Sequence, residues 1–380
     1  MLKALAGSFE AKPDCPSVYL SHLSHLIAQT ITYLQAAQPE DGFYPCHRWH
    51  PWGYKRADDN VFYQALLAFT LQRVAPRLPA AQAQVLNEIS QKITARYWQF
   101  QSVPGLASYA FWQTHPVRRF WPNGYYFHRD EFFRPPDDAD DTAIIYLTSS
   151  QTQENKRWLR EAKYPQHTNL NGRRIVTTIE EWKDKPAYTT FFGRDMPLGF
   201  DVSVMANVLY WVYREGFALT EHDEACQWII EDTLRRSLWD TNPYLASPYY
   251  PFGSHILYNI TRLLADHDNA FTQRLRLLAK TEVEKALVQK THSPVQRLKL
   301  EIAWMKLGGV LPLTEAEIYT RQTWPEANHD FHFFVLGLPT EYDLKIAQWL
   351  APRRWLHLRF TCPAYHHAVW LEWLVLKQSY

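Results

Sequence analysis

Apolar residues recur every three or four positions along most of this 380-residue chain. Spacing of this kind places apolar side chains on one face of an α-helix. Proline and short polar turns separate about twelve such stretches, which lie at 17–36, 58–75, 80–100, 138–149, 152–164, 201–214, 221–237, 254–265, 269–290, 294–307, 341–350 and 363–377. The sequence therefore predicts a fold that is helical almost throughout.

Two helical architectures agree with this pattern. The chain has no glycine-rich phosphate loop and no alternation of strands and helices, which argues against Rossmann and P-loop folds. A helical solenoid and a toroid of α/α hairpins both remain open. Residues 165–198 are irregular, residues 173–178 are compatible with a short strand, and residues 355–360 alternate as a strand does.

The charge balance and the cysteines restrict the functional classes. Forty Lys and Arg residues against 39 Asp and Glu residues give a net charge of +1, which does not indicate a nucleic-acid-binding surface. Four widely spaced cysteines without a CxxC pair favour a reduced, cytoplasmic protein. No uncharged apolar run reaches ~18 residues, so we expect no membrane-spanning helix. Peripheral membrane contact stays open.

Aromatic residues make up 15% of the chain, with 16 Trp, 22 Tyr and 20 Phe. Such residues fill cores, and they also line cavities. Many of them lie in a long loop at 101–136, and long loops in compact domains are often functional. Trp112, Trp121 and Tyr126 are therefore candidates for contact with a substrate.

Four aspartates fall within five residues, at Asp137, Asp138, Asp140 and Asp141, directly before an apolar run. This composition suits a helix N-terminus, where free N–H groups and the helix dipole favour negative charge. Carboxyl groups three or four residues apart share a helix face, and close carboxyl groups cannot all ionise away from water. One of them would keep its proton and could act as an acid.

Two other interpretations of the aspartates remain open. Asp137, Asp138 and Asp141 also form a D-D-x-x-D pattern of hard oxygen ligands, which suits Mg²⁺ carrying a diphosphate. No second N/D-D-x-x-S/T-x-x-x-E motif accompanies it. The remaining possibility is a solvated acidic cap on a surface helix.

Residues 138–143 match the D-x-D-D-T-A signature of class II terpene cyclases, such as squalene–hopene cyclase and copalyl diphosphate synthase. Residues 38–44 resemble one degenerate copy of the QxxxGxW repeat of triterpene cyclases, with Tyr44 in place of Trp. The resemblance implies an all-α fold, which we expect to be one (α/α)6-type toroid over residues 1–380, with 165–198 as an irregular insertion.

The resemblance also implies a chemistry. Asp140 would protonate an isoprenoid, Asp138 and Asp141 would polarise and reprotonate it, and aromatic faces would hold the carbocation. Asn207 lies within an apolar helical stripe, and His255 follows an aromatic loop, so we expect both near the substrate. No redox cofactor is expected, and Mg²⁺ would be needed only with a diphosphate substrate.

Three functions are carried forward from the sequence. The first is a proton-initiated cyclase or isomerase, and the second is a Mg²⁺-dependent isoprenyl diphosphate enzyme. The third is a non-catalytic toroid that binds a hydrophobic ligand or a protein. Well-known class II cyclases place the active site between two barrels, and this chain has room for one. The active site would therefore need its own closed cavity, a homodimer interface or a membrane face.

Overall fold

The computed structural model describes residues 16–51, 53–116, 136–193, 196–289, 292–312, 315–326, 332–335 and 345–379. The helices of this part are α1 Pro16–Ala37, α2 Val61–Val74, α3 Ala80–Thr94, α4 Ala139–Thr148, α5 Gln153–Trp158, α6 Tyr164–Gln166, α7 Val202–Glu215, α8 Glu221–Arg235, α9 Leu238–Thr241, α10 Pro243–Ala246, α11 Gly253–Asp266, α12 Ala270–Leu287, α13 Pro294–Lys306, α14 Glu315–Arg321, α15 Lys345–Leu350 and α16 Pro363–Gln378. The strands are β1 Cys46–His50, β2 Tyr54–Asp58, β3 His332–Val335 and β4 His357–Thr361. A π-helical turn, Leu159–Lys163, joins α5 to α6.

Six of these helices form a closed ring of packing contacts. Helix α2 packs against α4, α4 against α7, α7 against α11, α11 against α13, α13 against α16, and α16 returns to α2. Four further helices lie outside the ring. Helix α3 packs on α1 and α2, α8 on α7 and α12, α12 on α11 and α13, and α1 on α16. The largely helical fold expected from the sequence is confirmed.

Ring membership explains why some helices are buried on every side. All ten residues of α4 are buried, including the polar ones, because its neighbours in the ring cover two of its sides. Helix α12, which lies outside the ring, leaves Leu277 exposed instead. None of the helices in the described residues is long and apolar enough to cross a membrane.

A four-stranded antiparallel sheet, in the order β2-β1-β4-β3, accompanies the helices. Trp49 of β1 pairs with Arg359 of β4, so the sheet joins the two sequence ends of the ring. The strand expected at 355–360 is confirmed in its larger part as β4. The strand suggested at 173–178 is wrong, because this segment has no regular structure: the N–H of Ile175 donates to the side-chain oxygen of Asn169, and the carbonyl oxygen of Arg173 accepts the N–H of Leu170.

The N-termini of at least five ring helices lie at one end of the ring. Phe62, near the start of α2, stacks on Tyr250, which precedes α11, with 5.5 Å between ring centroids. Tyr63 donates a hydrogen bond to the carbonyl oxygen of Phe360, just before α16. The contacts of Asp140 and Asp201 described below add α4 and α7 to this end.

Close packing at the start of α11 gives a stability prediction. A Cβ added at Gly253 would lie 2.5 Å from the Trp239 ring and 2.8 Å from the Trp239 carbonyl oxygen. The Trp239 ring cannot move easily, because its indole N–H donates to Glu282 at 2.8 Å. We expect Gly253→Ala to lower the free energy of unfolding by about 1–3 kcal/mol, measured by denaturant titration.

The exposed Leu277 supplies the control for this measurement. Leu277→Ala should change the free energy of unfolding by no more than about 0.5 kcal/mol. A Gly253→Ala protein as stable as this control would show that α11 can shift away from Trp239 without loss.

Candidate active site

The four aspartates lie at the start of α4 and are all buried, with exposed fractions of 6% for Asp137, 7% for Asp138, 2% for Asp140 and 1% for Asp141. Asp138 is the N-cap, and its Oδ1 accepts the Asp141 N–H at 2.8 Å. The capping chemistry expected from the sequence is therefore present. The interpretation as a solvated surface cap is wrong, because the ring helices enclose this helix terminus.

Two neighbouring segments hold the aspartates in place from both sides. The N–H of Asp138 donates to Tyr109 at 3.1 Å, and the N–H of Phe192 donates to Asp137 at 3.0 Å. Thr142 accepts the N–H of Tyr109 through its hydroxyl oxygen at 3.1 Å. The extended backbone before α4 is thus fixed between the 109–110 and 190–192 segments, which sets the direction of the carboxyl groups.

Two neutral donors hold the Asp140 carboxyl group. The Nδ2 of Asn207 on α7 donates to Oδ1 at 2.5 Å, and the hydroxyl of Tyr250 donates to Oδ2 at 2.6 Å. Burial raises the pKa of Tyr250 well above its ordinary value, so its hydroxyl stays protonated and continues to donate. Both Asp140 oxygens therefore have a partner that carries no charge.

Arg262 on α11 lies behind Asn207 and fixes its orientation. Its Nη2 donates to the Oδ1 of Asn207. Because a guanidinium group can only donate, the amide must direct its oxygen to Arg262 and its NH₂ group to Asp140. Arg262 is itself buried, and its guanidinium carbon lies 4.8 Å from the ring centroid of Phe69.

Two opposing effects of its surroundings determine the pKa of Asp140. Burial raises the pKa of its carboxyl group, while the bonds from Tyr250 and Asn207 and the charge of Arg262 lower it, leaving a pKa of about 6. An ordinary aspartate would be ionised almost completely at neutral pH. At neutral pH, Asp140 instead remains protonated in a fraction of the molecules. It is also a stronger acid than a buried carboxyl group without these donors would be.

Asp138 and Asp141 lie side by side, and their pKa values are both raised. Burial is the main cause for each, and the proximity of other carboxylates adds to it. Two buried carboxyl groups in contact cannot both ionise cheaply, so this pair keeps at least one proton near neutral pH. A further buried carboxyl group, Asp201 at the N-cap of α7, has a pKa raised to about 7, chiefly by burial.

Asp137 has a different partner. Its Oδ2 lies 2.9 Å from the Nζ of Lys163, which also lies 4.7 Å from the ring centroid of Phe192. Among the described residues, no three His, Cys, Asp or Glu side chains are grouped as metal ligands would be. Asp137 thus pairs with a lysine, whereas Asp138 and Asp141 lie next to each other.

His255 lies next to Tyr250, the tyrosine that donates to Asp140. Its ring lies 5.0 Å from the Tyr250 ring, and its Nδ1 lies 2.9 Å from the Nζ of Lys299. Burial and the charges of Lys299 and Arg262 lower the pKa of His255 well below its usual value. A neutral imidazole therefore supports the phenol that donates to Asp140.

Of the three aromatic residues expected to contact the substrate, only Trp112 lies in the described part of the chain. Trp112 is buried, and its indole N–H donates to Asp58 at 3.2 Å, while the guanidinium carbon of Arg48 lies 5.5 Å from its ring centroid. One face of this ring is thus engaged by the Arg48–Asp58 salt bridge of 2.8 Å. Trp121 and Tyr126 lie outside the described residues.

Two residues of the site were missed in the sequence. Tyr250 stands in an aromatic loop before α11, where nothing distinguishes it among 22 tyrosines. Arg262 interrupts the apolar stripe of α11, beside Ile260 and Leu263. A polar residue within an apolar helical stripe is the signal that singled out Asn207. The same signal would have identified Arg262.

No protein-family model and no curated protein matches the chain. Solved structures of the type II terpene cyclase MstE from Scytonema do match. A variant in complex with geranylgeranyl dihydroxybenzoate, described as its substrate, shares 14% identity and a TM-score of 0.55. A variant in complex with merosterolic acid A, described as its product, shares 15% identity and a TM-score of 0.56.

An apo variant of the same enzyme gives 15% identity and a TM-score of 0.53. Each of these three alignments covers 95% of this chain and 98% of the other. The two chains therefore correspond over nearly their whole lengths, although few residues are identical. On this structural similarity, the chain has the fold of the type II terpene cyclase MstE.

Proposed function

We propose that the protein is a class II, proton-initiated terpene cyclase in which Asp140 protonates an isoprenoid. The observation that carries the proposal is the buried Asp140 carboxyl group, held by the neutral donors Asn207 and Tyr250, with a pKa of about 6. A group of this kind holds a proton out of water and, once it has lost the proton, is stabilised by the same two donors.

The proposed reaction conserves atoms. The Asp140 proton bonds to one carbon of an alkene, whose π electrons form the new C–H bond and leave a tertiary carbocation. The O–H electrons remain on Asp140 as a carboxylate. Further double bonds of the chain attack in turn, and loss of one proton from carbon ends the cyclisation. The product is an isomer of the substrate, and no redox cofactor takes part.

The paired carboxyl groups of Asp138 and Asp141 would return the proton. Both have raised pKa values and belong to the same helix turn as Asp140. Because the pair keeps a proton, it also limits the negative charge beside the acid. This assignment leaves Asp137, paired with Lys163, outside the proton transfer.

An aromatic cavity would hold the carbocation. Cation–π attraction is worth up to ~2 kcal/mol per ring when the cation is desolvated. Phe62 and Tyr250 already stack near the acid, and we propose that Trp112, Trp121 and Tyr126 continue this lining. Asn207 and His255 would then lie on the side of the cavity that carries the acid. Asn207 would orient Asp140, and His255 would orient Tyr250.

The size of the chain supports a complete site within one domain. We propose that residues 1–380 form a single (α/α)6-type toroid around the closed ring of six helices, with the irregular segment 165–198 as an insertion. MstE corresponds to this chain over 98% of its own length, and a geranylgeranyl-bearing compound is described as its substrate. A geranylgeranyl chain, attached to an aromatic acid or another head group, is therefore our proposed substrate class.

The test is cyclisation in heavy water with and without a metal chelator. We expect geranylgeranyl dihydroxybenzoate to give cyclic products of unchanged elemental composition, detected by mass spectrometry. In D₂O each product should gain one deuteron on carbon, counted after its hydroxyl and carboxyl protons have exchanged back in H₂O, because the initiating proton exchanges with solvent. EDTA should leave the rate unchanged, since Asp140 needs no metal to transfer its proton.

Geranylgeranyl diphosphate is the matched second substrate. Metal-dependent ionisation would release diphosphate from it, stop with EDTA and introduce no deuteron at the first step. That result would replace the cyclase proposal by the D-D-x-x-D alternative. The non-catalytic toroid would be favoured if the protein binds both compounds but converts neither of them, and also converts no shorter or longer isoprenoid.

A further inference from the structure

One short segment exposes large apolar side chains to solvent. Ile346 and Trp349 are each 64% exposed, and Trp355 is 48% exposed. Ile346 and Trp349 lie one turn apart on α15, which places them on one face, and Trp355 lies in the 3₁₀ turn Arg354–Leu356 that follows. Single exposed apolar residues are ordinary, but a cluster with two tryptophans marks a contact surface.

Basic residues accompany these side chains. Lys345, Arg353 and Arg354 are exposed, and the sequence contains no Asp or Glu between Lys345 and Leu371. The guanidinium carbon of Arg353 lies 4.8 Å from the ring centroid of Trp349. The charge and the ring thus belong to one unit, with the cation at the face of the indole.

We call these six residues the α15 surface: Lys345, Ile346, Trp349, Arg353, Arg354 and Trp355. Tryptophan is enriched at the boundary between lipid tails and head groups, and arginine pairs with phosphate through several hydrogen bonds. An anionic bilayer therefore complements both the apolar and the charged members of this surface. A protein partner fits less well, since a stable interface needs about 20–30 residues a side.

An open cavity of about 350 Å³ lies beside the α15 surface, lined by residues 241–245 together with Gln348 and Pro352. The same chain segment continues from Leu245 to Tyr249, whose N–H donates to Asp201, and to Tyr250, which donates to Asp140. The cavity wall and the tyrosine that donates to Asp140 thus belong to one short stretch of chain, residues 241–250.

We propose that the α15 surface docks the protein peripherally on a bilayer that contains anionic lipids. The indole rings and Ile346 enter the boundary of the acyl chains, and the three cations contact lipid phosphates. Each Lys or Arg near an anionic surface strengthens partitioning about fivefold. This inference is independent of the chemistry at Asp140, and the experiment that tests it needs no substrate.

The experiment is co-sedimentation of the full chain with extruded vesicles of phosphatidylcholine alone or with about one third phosphatidylserine. We expect binding that is much stronger to the anionic vesicles and weaker in high salt. Arg353→Gln with Arg354→Gln should reduce binding to the anionic vesicles about 25-fold. Trp349→Ala with Trp355→Ala should reduce binding to both kinds of vesicle about tenfold or more.

Trp98→Ala is the matched control, since Trp98 is 57% exposed but lies in another element, Tyr97–Phe100. It should leave vesicle binding unchanged. All the changed residues are exposed, and thermal unfolding of each variant checks that the fold is retained. Equal binding of the wild type and both double variants would overturn the proposal, as would failure to bind anionic vesicles.

Sedimentation velocity without lipid measures whether a second copy of the protein, rather than a bilayer, covers the α15 surface. Self-association that Trp349→Ala with Trp355→Ala abolishes, in a protein that ignores vesicles, would show that a second copy covers the surface. That outcome also overturns the lipid proposal. A monomer that binds anionic vesicles through these residues supports it.

Discussion

Asp140→Asn is expected to abolish cyclisation, with a fall in turnover of about 10³-fold or more, because general acid catalysis contributes ~10²–10⁴-fold and the asparagine amide cannot supply the initiating proton. Asparagine has nearly the volume of aspartate and can still accept from the Tyr250 hydroxyl. It has no proton of comparable acidity. The measurement is the initial rate of product formation with a geranylgeranyl substrate.

The variant should remain folded, and the pKa of Asp140 explains why. Burial raises this pKa from its usual value to about 6, so ionisation of Asp140 disfavours the folded state. The stabilising contribution of its protonated form is complete below the unfolded pKa and is lost as pH rises through about 6. Removing the titrating group removes this loss at pH 7, but the new amide NH₂ would face the NH₂ of Asn207. We therefore expect the free energy of unfolding at pH 7 to fall by no more than about 1–3 kcal/mol, as measured by denaturant titration.

Asp137→Asn is the matched control for Asp140→Asn. Asp137 belongs to the same acidic cluster, but its carboxylate pairs with Lys163 rather than with the donors of Asp140. We expect this variant to keep most of its activity. The opposite pattern, with activity lost in Asp137→Asn and kept in Asp140→Asn, would contradict the acid assignment and support a metal ligand at Asp137.

Local features of the site were predictable from the sequence, whereas its long-range partners were not. The N-cap at Asp138 and the clustering of the carboxyl groups follow from residues within one helical turn. Tyr250 lies 110 residues from Asp140 along the chain, and nothing local connects the two. Asn207 was singled out because a polar side chain in an apolar stripe must find a buried partner.

The helices were predictable because their apolar periodicity is long, and the sheet was not because its strands are short and mixed. Strand β1 buries alternate residues, but one of these is Arg48, whose charge hides the alternation from a hydrophobic pattern. Its burial depends on the salt bridge to Asp58 of β2. The pairing of β1 with β4 joins residues more than 300 positions apart, for example His47 and Thr361.

Arg262→Met should move the pH dependence of cyclisation, which is the second large effect expected at this site. Only protonated Asp140 can start the reaction, so the rate should fall as pH rises above about 6. The charge of Arg262 lowers the pKa of Asp140, and its bond to Asn207 fixes the amide that donates to the acid. Both effects disappear with methionine, which retains much of the aliphatic volume.

Two changes should therefore appear together in the pH–rate profile of Arg262→Met. The alkaline limb should shift upward by about one pH unit, and the rate at its acidic plateau should fall about tenfold, because a weaker acid transfers its proton more slowly. Arg262→Lys retains a cation and should restore the position of the limb. A lower plateau with an unmoved limb would mean that Arg262 contributes only packing against Phe69 and its neighbouring rings.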